Sequence, residues 1–199
     1  VIEHDIERLE RLITDISNAS RIDAELSRES FEKVDIKTLL NSLIELYAKD
    51  PLERTNQESK QTIQTQNAQI KIIDSTIDTI HIWGMESRLA QVFQNLIVNA
   101  LSFAPPESTI LVTMSATNKT FTILIDDQGP GIPENKLENI FDRFYSERPE
   151  AEDYGHHSGL GLSICKQIID AHGGQIFAEN ISNKNETKGA RFTVILKRA

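Results

Sequence analysis

A single cysteine, Cys165, leaves this chain of 199 residues with no internal disulfide framework and no cysteine-based zinc site. It stands among Ile164, Ile168 and Ile169 in an apolar helical pattern, which predicts a buried, inert thiol and a reducing compartment. No apolar run approaches the ~18 residues of a membrane-spanning helix, so no direct membrane insertion is expected. Val1 is preceded by no methionine and followed by no signal-peptide pattern, which reads as a piece of a longer protein. Basic charge is also scarce. Lys and Arg number 21 against 30 Asp and Glu, and the net charge of −9 argues against a nucleic-acid partner. Glycine and proline are not enriched, and 39% apolar content predicts a packed core, one domain plus an appendage.

Residues 1–27 read as one helix. Ile2, Ile6, Leu9, Ile13 and Ile16 alternate steps of four and three, a heptad seam that predicts self-association. The plainer alternative is a surface helix packed on its own domain. Ile36, Leu39, Leu40, Leu43, Ile44 and Tyr47 form an amphipathic helix capped by Asp35, and residues 50–68 form a connector. Ile70/Ile72 and Ile80/Ile82 predict the two strands of a hairpin, closed by Trp83–Gly84. Leu89, Val92, Phe93, Leu96, Ile97 and Ala100 stripe a helix over 86–103. Ile110/Val112/Met114 and Phe121/Ile123/Ile125 form a strand pair around Asn118–Lys119. A helix from Gly159 to about His172 stops at Gly173–Gly174, and strands at Ile176/Ala178 and Phe192/Val194/Leu196 follow. Three helices and about five or six strands, mostly in hairpins, predict an α+β fold, a two-layer sandwich.

Three constellations carry possible chemistry. Asp126–Asp127–Gln128–Gly129–Pro130–Gly131–Ile132–Pro133 ends a strand in two carboxylates and a Gly-Pro-Gly turn. It offers one fixed acceptor, Asp127, beside a wall of bare backbone, although taken alone it is equally an ordinary turn. Gln91, Asn95 and Asn99 stand four apart on a helix edge, and amide oxygens are neutral ligands that Mg²⁺ accepts beside phosphates and water. Ser158–Gly159–Leu160–Gly161–Leu162–Ser163 opens a helix, where outward N–H groups favour phosphate. The polar loop before it, from Ser146 to Ser158, reads as a phosphate-covering lid. A metal ligand, a base acceptor and a phosphate cradle in this order describe a nucleoside triphosphate site.

These residues resemble a known family. Gln94–Asn95–Leu96–Ile97–Val98–Asn99–Ala100 resembles the N box of two-component sensor histidine kinases, and Asp127–Gln128–Gly129–Pro130–Gly131–Ile132 their G1 box. Ile140–Phe141–Asp142–Arg143–Phe144–Tyr145 is similar to their F box, and Gly159–Leu160–Gly161–Leu162 to their G2 box. All four motifs stand in family order within residues 31–199. The resemblance implies the Bergerat ATP-binding fold of the GHKL superfamily, a mixed sheet covered by three helices. Residues 1–30 resemble the second helix of the dimerisation and histidine-phosphotransfer hairpin, down to Ser20–Arg21–Ile22–Asp23. The Ser102–Phe103 pair and the string from His157 to Ile164 resemble ChvG/ExoS-type kinases of alphaproteobacteria.

Carried onto this chain, the resemblance gives Asp127 the adenine amine, Asn99 the Mg²⁺ and Asn95 a supporting catalytic role. It places Gly129, Gly131 and Ile132 against the base, and Phe103 near base or ribose. It gives Arg143 and Tyr145 to the nucleotide site, with Arg148 as a further phosphate contact. The backbone of Ser158, Gly159, Leu160, Gly161 and Leu162 would hold phosphates. ATP and Mg²⁺ are the implied cofactors. A response regulator and a second copy, joined through the hairpin helices, are the implied partners. The implied setting is the cytoplasmic, soluble part of a bacterial sensor anchored in the inner membrane. A carboxylate opposite the base also favours ATP over GTP on chemical grounds, because guanine presents a carbonyl where adenine presents an amine.

Some family features are missing. Ser102 precedes Phe103 where the N box usually continues to a Lys, His157 replaces a common Gly, Ala190 a frequent Thr, and Lys197 a frequent Pro. No His-Glu/Asp-x-x-x-Pro acceptor box exists, so His4, His81, His156, His157 and His172 are expected in solvated or capping roles. This chain should therefore bind ATP without phosphorylating itself. Three other readings stay open: a MutL-like or chaperone-like ATPase, which needs a Glu in place of Asn95; an anti-sigma-factor kinase, which lacks the heptad helix; and a pseudokinase interaction module.

Overall fold

The computed structural model describes residues 30–48, 68–76, 79–142, 160–183 and 186–199. The N-terminal helix, most of the connector and the expected lid lie outside them, as do Arg143, Tyr145, Arg148, Ser158 and Gly159. The elements run β1 (Glu32–Asp35), α1 (Ile36–Ala48), β2 (Gln69–Asp74), β3 (His81–Gly84), α2 (Glu86–Phe103), β4 (Thr109–Ala116), β5 (Thr120–Asp126), α3 (Gly161–Ala171), β6 (Gln175–Asn183) and β7 (Glu186–Lys197). Short 3₁₀ turns occupy Glu134–Lys136 and Asn139–Phe141.

A five-stranded sheet in the order β2-β4-β5-β7-β6 carries the three helices on one face, with α1 over β2, α2 over β5 and α3 over β6. Each strand alternates in the manner its sequence requires. Ile110, Val112, Met114, Phe121, Ile123, Ile125, Phe192, Val194 and Leu196 point inward and are buried. They meet Leu89, Val92, Phe93, Leu96 and Ile97 of α2, all fully buried. A truncation such as Phe93→Ala removes the largest side chain from this seam and costs about 3–5 kcal/mol. The predicted two-layer α+β sandwich with three helices on a mixed sheet is the observed architecture.

The expected hairpin between Ile70/Ile72 and Ile80/Ile82 does not form. β2 runs parallel to β4 at the sheet edge, with Ile70 opposite Ile110 and Ile72 opposite Val112. β3 instead pairs antiparallel with β1 in a separate two-stranded sheet, with Val34 opposite Ile82. Alternation predicts that a strand exists but not its partner, and the burial of Val34 and Ile82 against the helices decides the pairing. β1 itself, Glu-Lys-Val-Asp, carries one inward apolar residue and shows no strand pattern in the sequence.

The helix ends match their local chemistry. Asp35 caps α1, its Oδ1 accepting from the N–H groups of Lys37 and Thr38 at 3.1 and 3.2 Å. Ala104–Pro105–Pro106 ends α2, since proline cannot continue the ladder. At the C-terminal end of α3, His172 is buried, not solvated. Its Nδ1 meets the Ile168 carbonyl at 2.7 Å, its Nε2 accepts from the Met85 N–H at 3.0 Å, and its ring lies 5.0 Å from that of Phe31. One imidazole thus caps α3 and ties it to the start of α2. Cys165 is fully buried, with Sγ donating to the Val92 carbonyl at 3.6 Å, and burial pushes its thiol up to about 12.

Candidate functional site

β5 delivers two carboxylates with opposite fates. Asp126 lies opposite Arg191 of β7 and accepts a two-pronged bond from its guanidinium, 2.7 Å at each oxygen. This pair ties the end of β5 to β7. Asp127, 4% exposed, turns inward. Its Oδ1 accepts from the Gly129 N–H at 2.8 Å and the Ala190 N–H at 3.1 Å, while its own N–H donates to the Ala190 carbonyl at 2.9 Å. Its Oδ2 has no hydrogen bond among the described residues. Burial raises the Asp127 carboxyl above its ordinary range, the two N–H donors oppose that, and the nearby Asp126 charge adds to it.

The glycines beside Asp127 are required by neighbouring backbone. A Cβ on Gly129 would stand 2.8 Å from the Phe103 carbonyl oxygen, so this loop passes directly under the end of α2. Gly189 takes φ +142, and a Cβ there would stand 1.9 Å from the Asp127 carbonyl oxygen. Gly131 takes φ +80, in the left-handed region. Ile132 follows it, half-buried and packed against the core, with its backbone held by the side chain of Asn180.

The other half of the site lies where α2 meets α3. Asn95 donates from Nδ2 to the Gly161 carbonyl at 3.3 Å. Asn99, one turn further on, is half-buried, and its side-chain amide has no hydrogen bond among the described residues. Ser102, which stands where the N box usually approaches a Lys, donates its hydroxyl back to the Asn99 carbonyl at 2.7 Å. Phe103, one turn beyond Asn99, is 41% exposed at the helix end. Leu160 is buried, so at that position only the backbone is left to face outward, while Leu162 is half-buried and packs against the core. α3 starts at Gly161, and the Ser163 hydroxyl donates to the Leu160 carbonyl at 2.9 Å.

Two groupings thus emerge from the sequence-predicted residues: Asp127, Gly129, Gly131, Ile132 and Phe103 at one end, and Asn95, Gly161 and their neighbours at the other. The edge of α2 joins them through Asn99. Ala190, Gly189 and Asn180 complete the first grouping; of these, the sequence singles out Ala190, which stands where the family frequently has Thr. Ala190 serves through its backbone alone. Gly189 shows in the sequence only as a lone glycine within a strand pattern, a usual mark of close backbone approach.

Residues 84–199 match the model of the histidine kinase-, DNA gyrase B- and HSP90-like ATPase family. The sensor protein ChvG of Rhizobium meliloti (strain 1021) is 42% identical over 98% of this chain and 33% of its own length. The ChvG protein of Agrobacterium fabrum is 39% identical over 100% of the chain and 33% of its length. This chain therefore spans about a third of those relatives. Among solved structures, full-length ShkA in complex with AMPPNP superposes with a TM-score of 0.71 at 25% identity, over 97% of this chain and 36% of that one. The histidine kinase ThkA in complex with the response regulator TrrA superposes with a TM-score of 0.68 at 25% identity, over 96% of this chain and 48% of that one. The chain belongs to the histidine kinase-, DNA gyrase B- and HSP90-like ATPase family, and within it to the ATP-binding domains of ChvG-type sensor kinases.

Proposed function

We propose that this chain binds Mg²⁺–ATP along the exposed edge of α2, and that the longer protein uses it as a protein-histidine kinase. The observation that carries this is one helix edge touching both halves of the site. Asn95, Asn99 and Phe103 fall at successive turns, ~12 Å from first to last, long enough to lie along a nucleotide. Asn95 contacts the start of α3, and Phe103 covers Gly129 beside Asp127.

The residues present fit the cofactors. Asp127 offers an oxygen with no internal hydrogen bond to the adenine amine, in a buried place where a mispaired guanine carbonyl loses most. Asn99 offers an equally uncommitted amide oxygen to Mg²⁺, and Asn95 steadies the phosphate side through Gly161. Bound Mg²⁺ would supply charge neutralisation at the β- and γ-phosphates. The chain's own part is to orient the nucleotide and present backbone donors, the positioning and electrostatic work on which phosphoryl transfer depends. The γ-phosphoryl would pass to a histidine on the hairpin of the longer protein and then to an aspartate of a response regulator. That two relatives bear the name sensor protein and that ThkA was solved with its response regulator support this partner. Residues 1–30 would contribute to a homodimer in a cytoplasmic kinase core.

The test is phosphoryl transfer in trans. Labelled ATP, Mg²⁺, this chain and a separate hairpin carrying the acceptor histidine should yield labelled hairpin. Asn99→Ala should lower that yield at least ~10-fold while leaving the thermal midpoint near wild type. Transfer that persists without Mg²⁺, or Mg²⁺-dependent ATP binding that is absent by calorimetry, overturns the reading.

A further inference from the structure

We propose that Asn180 of β6 is a positioning residue for base recognition, acting as a clamp on the backbone of Ile132. This rests on the reading that Asp127 and the Gly129–Ile132 loop receive the base. The Ile132 N–H donates to Asn180 Oδ1 at 2.7 Å, and Asn180 Nδ2 donates to the Ile132 carbonyl at 2.6 Å. A primary amide is the side-chain group that can meet a backbone N–H and C=O at once, as a neighbouring strand would. The loop leaves β5 and belongs to no ladder, so this pair supplies the strand-like contact that its sequence position lacks.

Asn180 is placed to serve both parts of the base site. Its ladder partner across β7 is Ala190, whose N–H and C=O both bond to Asp127. One position on the edge strand therefore lies opposite the residue that holds the acceptor, and it grips the loop wall with its side chain. Two local features serve this geometry. The β6–β7 register shifts between Asn180 and Ser182, a bulge that re-aims side chains. Gly131 turns at φ +80, and a Cβ there would stand 2.8 Å from Asn180 Oδ1. Losing the clamp leaves the inward core faces untouched but frees Ile132, the residue that would pack on the base.

Titrating the full 199-residue chain with Mg²⁺–ATP, and competing with GTP, tests this in Asn180→Ala and in the near-isosteric Asn180→Asp. The second keeps an acceptor for the Ile132 N–H but sets a carboxylate oxygen against its carbonyl. ATP affinity should fall about tenfold in both variants, GTP affinity should fall much less, and melting should stay cooperative near wild type. Equal losses for ATP and GTP, or a loss that tracks the folded fraction, would mean a merely structural residue and overturn the proposal. So would wild-type affinity in Asn180→Asp, which decides the matter if Asn180→Ala does not fold. Asp127→Asn in the same titration separates the two readings. If it binds ATP like wild type, the base site itself is wrong; if it loses ATP while the Asn180 variants keep it, the clamp alone fails.

Discussion

The two ends of the proposed nucleotide site, a base end and a phosphate end, are built differently. At the base end, Asp127 is 4% exposed and held by two N–H donors, with Gly129, Gly131 and Gly189 each in a place that another residue would overfill. At the phosphate end, Asn95 donates to the Gly161 carbonyl at 3.3 Å and also meets the Cys165 thiol, while the Asn99 side chain makes no hydrogen bond among the described residues. The end around Asp127 is thus fixed by the sheet, and on the proposed reading it discriminates between bases because a preorganised buried acceptor cannot adapt to the wrong one. The phosphate end keeps one uncommitted amide, Asn99, on a helix edge, which on the proposed reading suits a ligand whose charge and geometry change during reaction.

The largest expected effect comes from treating two glycines alike. Gly189→Ala puts a Cβ 1.9 Å from the Asp127 carbonyl oxygen at a φ of +142, so either β7 or the strand end must shift. A loss of about 3 kcal/mol or more in urea melts is expected, together with loss of ATP binding. Gly161→Ala meets only Asn95 side-chain atoms, at 3.8 Å, and sits in a helix. It should be neutral or stabilising by about 0.5–1 kcal/mol. Equal costs at the two positions would break the contrast.

Next comes the acceptor itself. Asp127→Asn keeps an oxygen for the Gly129 and Ala190 N–H groups but turns a donor toward the adenine amine. Calorimetry should show ATP affinity reduced about 100-fold, close to 2.7 kcal/mol. The unliganded fold should be no less stable than wild type, because the substitution removes a buried charge. Asp127→Ala should bind as poorly and also lose stability, since it leaves two buried N–H donors without a partner. If Asp127→Asn destabilises the fold as much as Asp127→Ala does, the carboxylate holds the loop rather than the base.

Much of this site was legible in the sequence, and the limit has a physical reason. Asp127 with Gly129 and Gly131, and the Asn95/Asn99 edge, are visible because local spacing alone places them on one strand end and one helix edge. The Asp126–Asp127 pair divides as expected, one carboxylate outward to Arg191 and one inward. Asn180 is not legible, and Ala190 shows only as a departure from a frequent family Thr, without its backbone role. Their roles lie in hydrogen bonds that exist only once β6 and β7 are paired beside β5, and a backbone N–H leaves no trace in residue type. The same reason explains the fold. Alternation predicted β2 and β3 as strands, but partner choice is tertiary, and β1 carries only Val34 as an inward apolar residue. His172 is expected in a solvated or capping role, and it caps while buried. Its second bond, to Met85, required knowing that α3 ends beside the start of α2.

The smallest effect is a difference in the sign of pH dependence between the base end and the α2–α3 junction at His172. Burial raises the Asp127 carboxyl above 3.8, so its contribution to stability is full below that value and is lost as pH rises through the folded-state pKa. His172 behaves oppositely. Burial lowers it below 6.5, with the Ile168 carbonyl opposing, so its contribution is full above 6.5 and is lost as pH falls through the folded-state pKa. The cause is geometric as well as electrostatic. Protonated Nε2 becomes a donor facing the Met85 N–H, which is also a donor, at the junction joining α2 to α3. Melts between neutral and mildly acidic pH should therefore show a falling midpoint that His172→Gln flattens and Asp127→Asn leaves in place. His172→Gln itself should cost about 1–3 kcal/mol at neutral pH through the lost Met85 acceptor and the Phe31 contact. An acid slope that survives in His172→Gln would move the effect to another group and leave the helix junction without a titrating member.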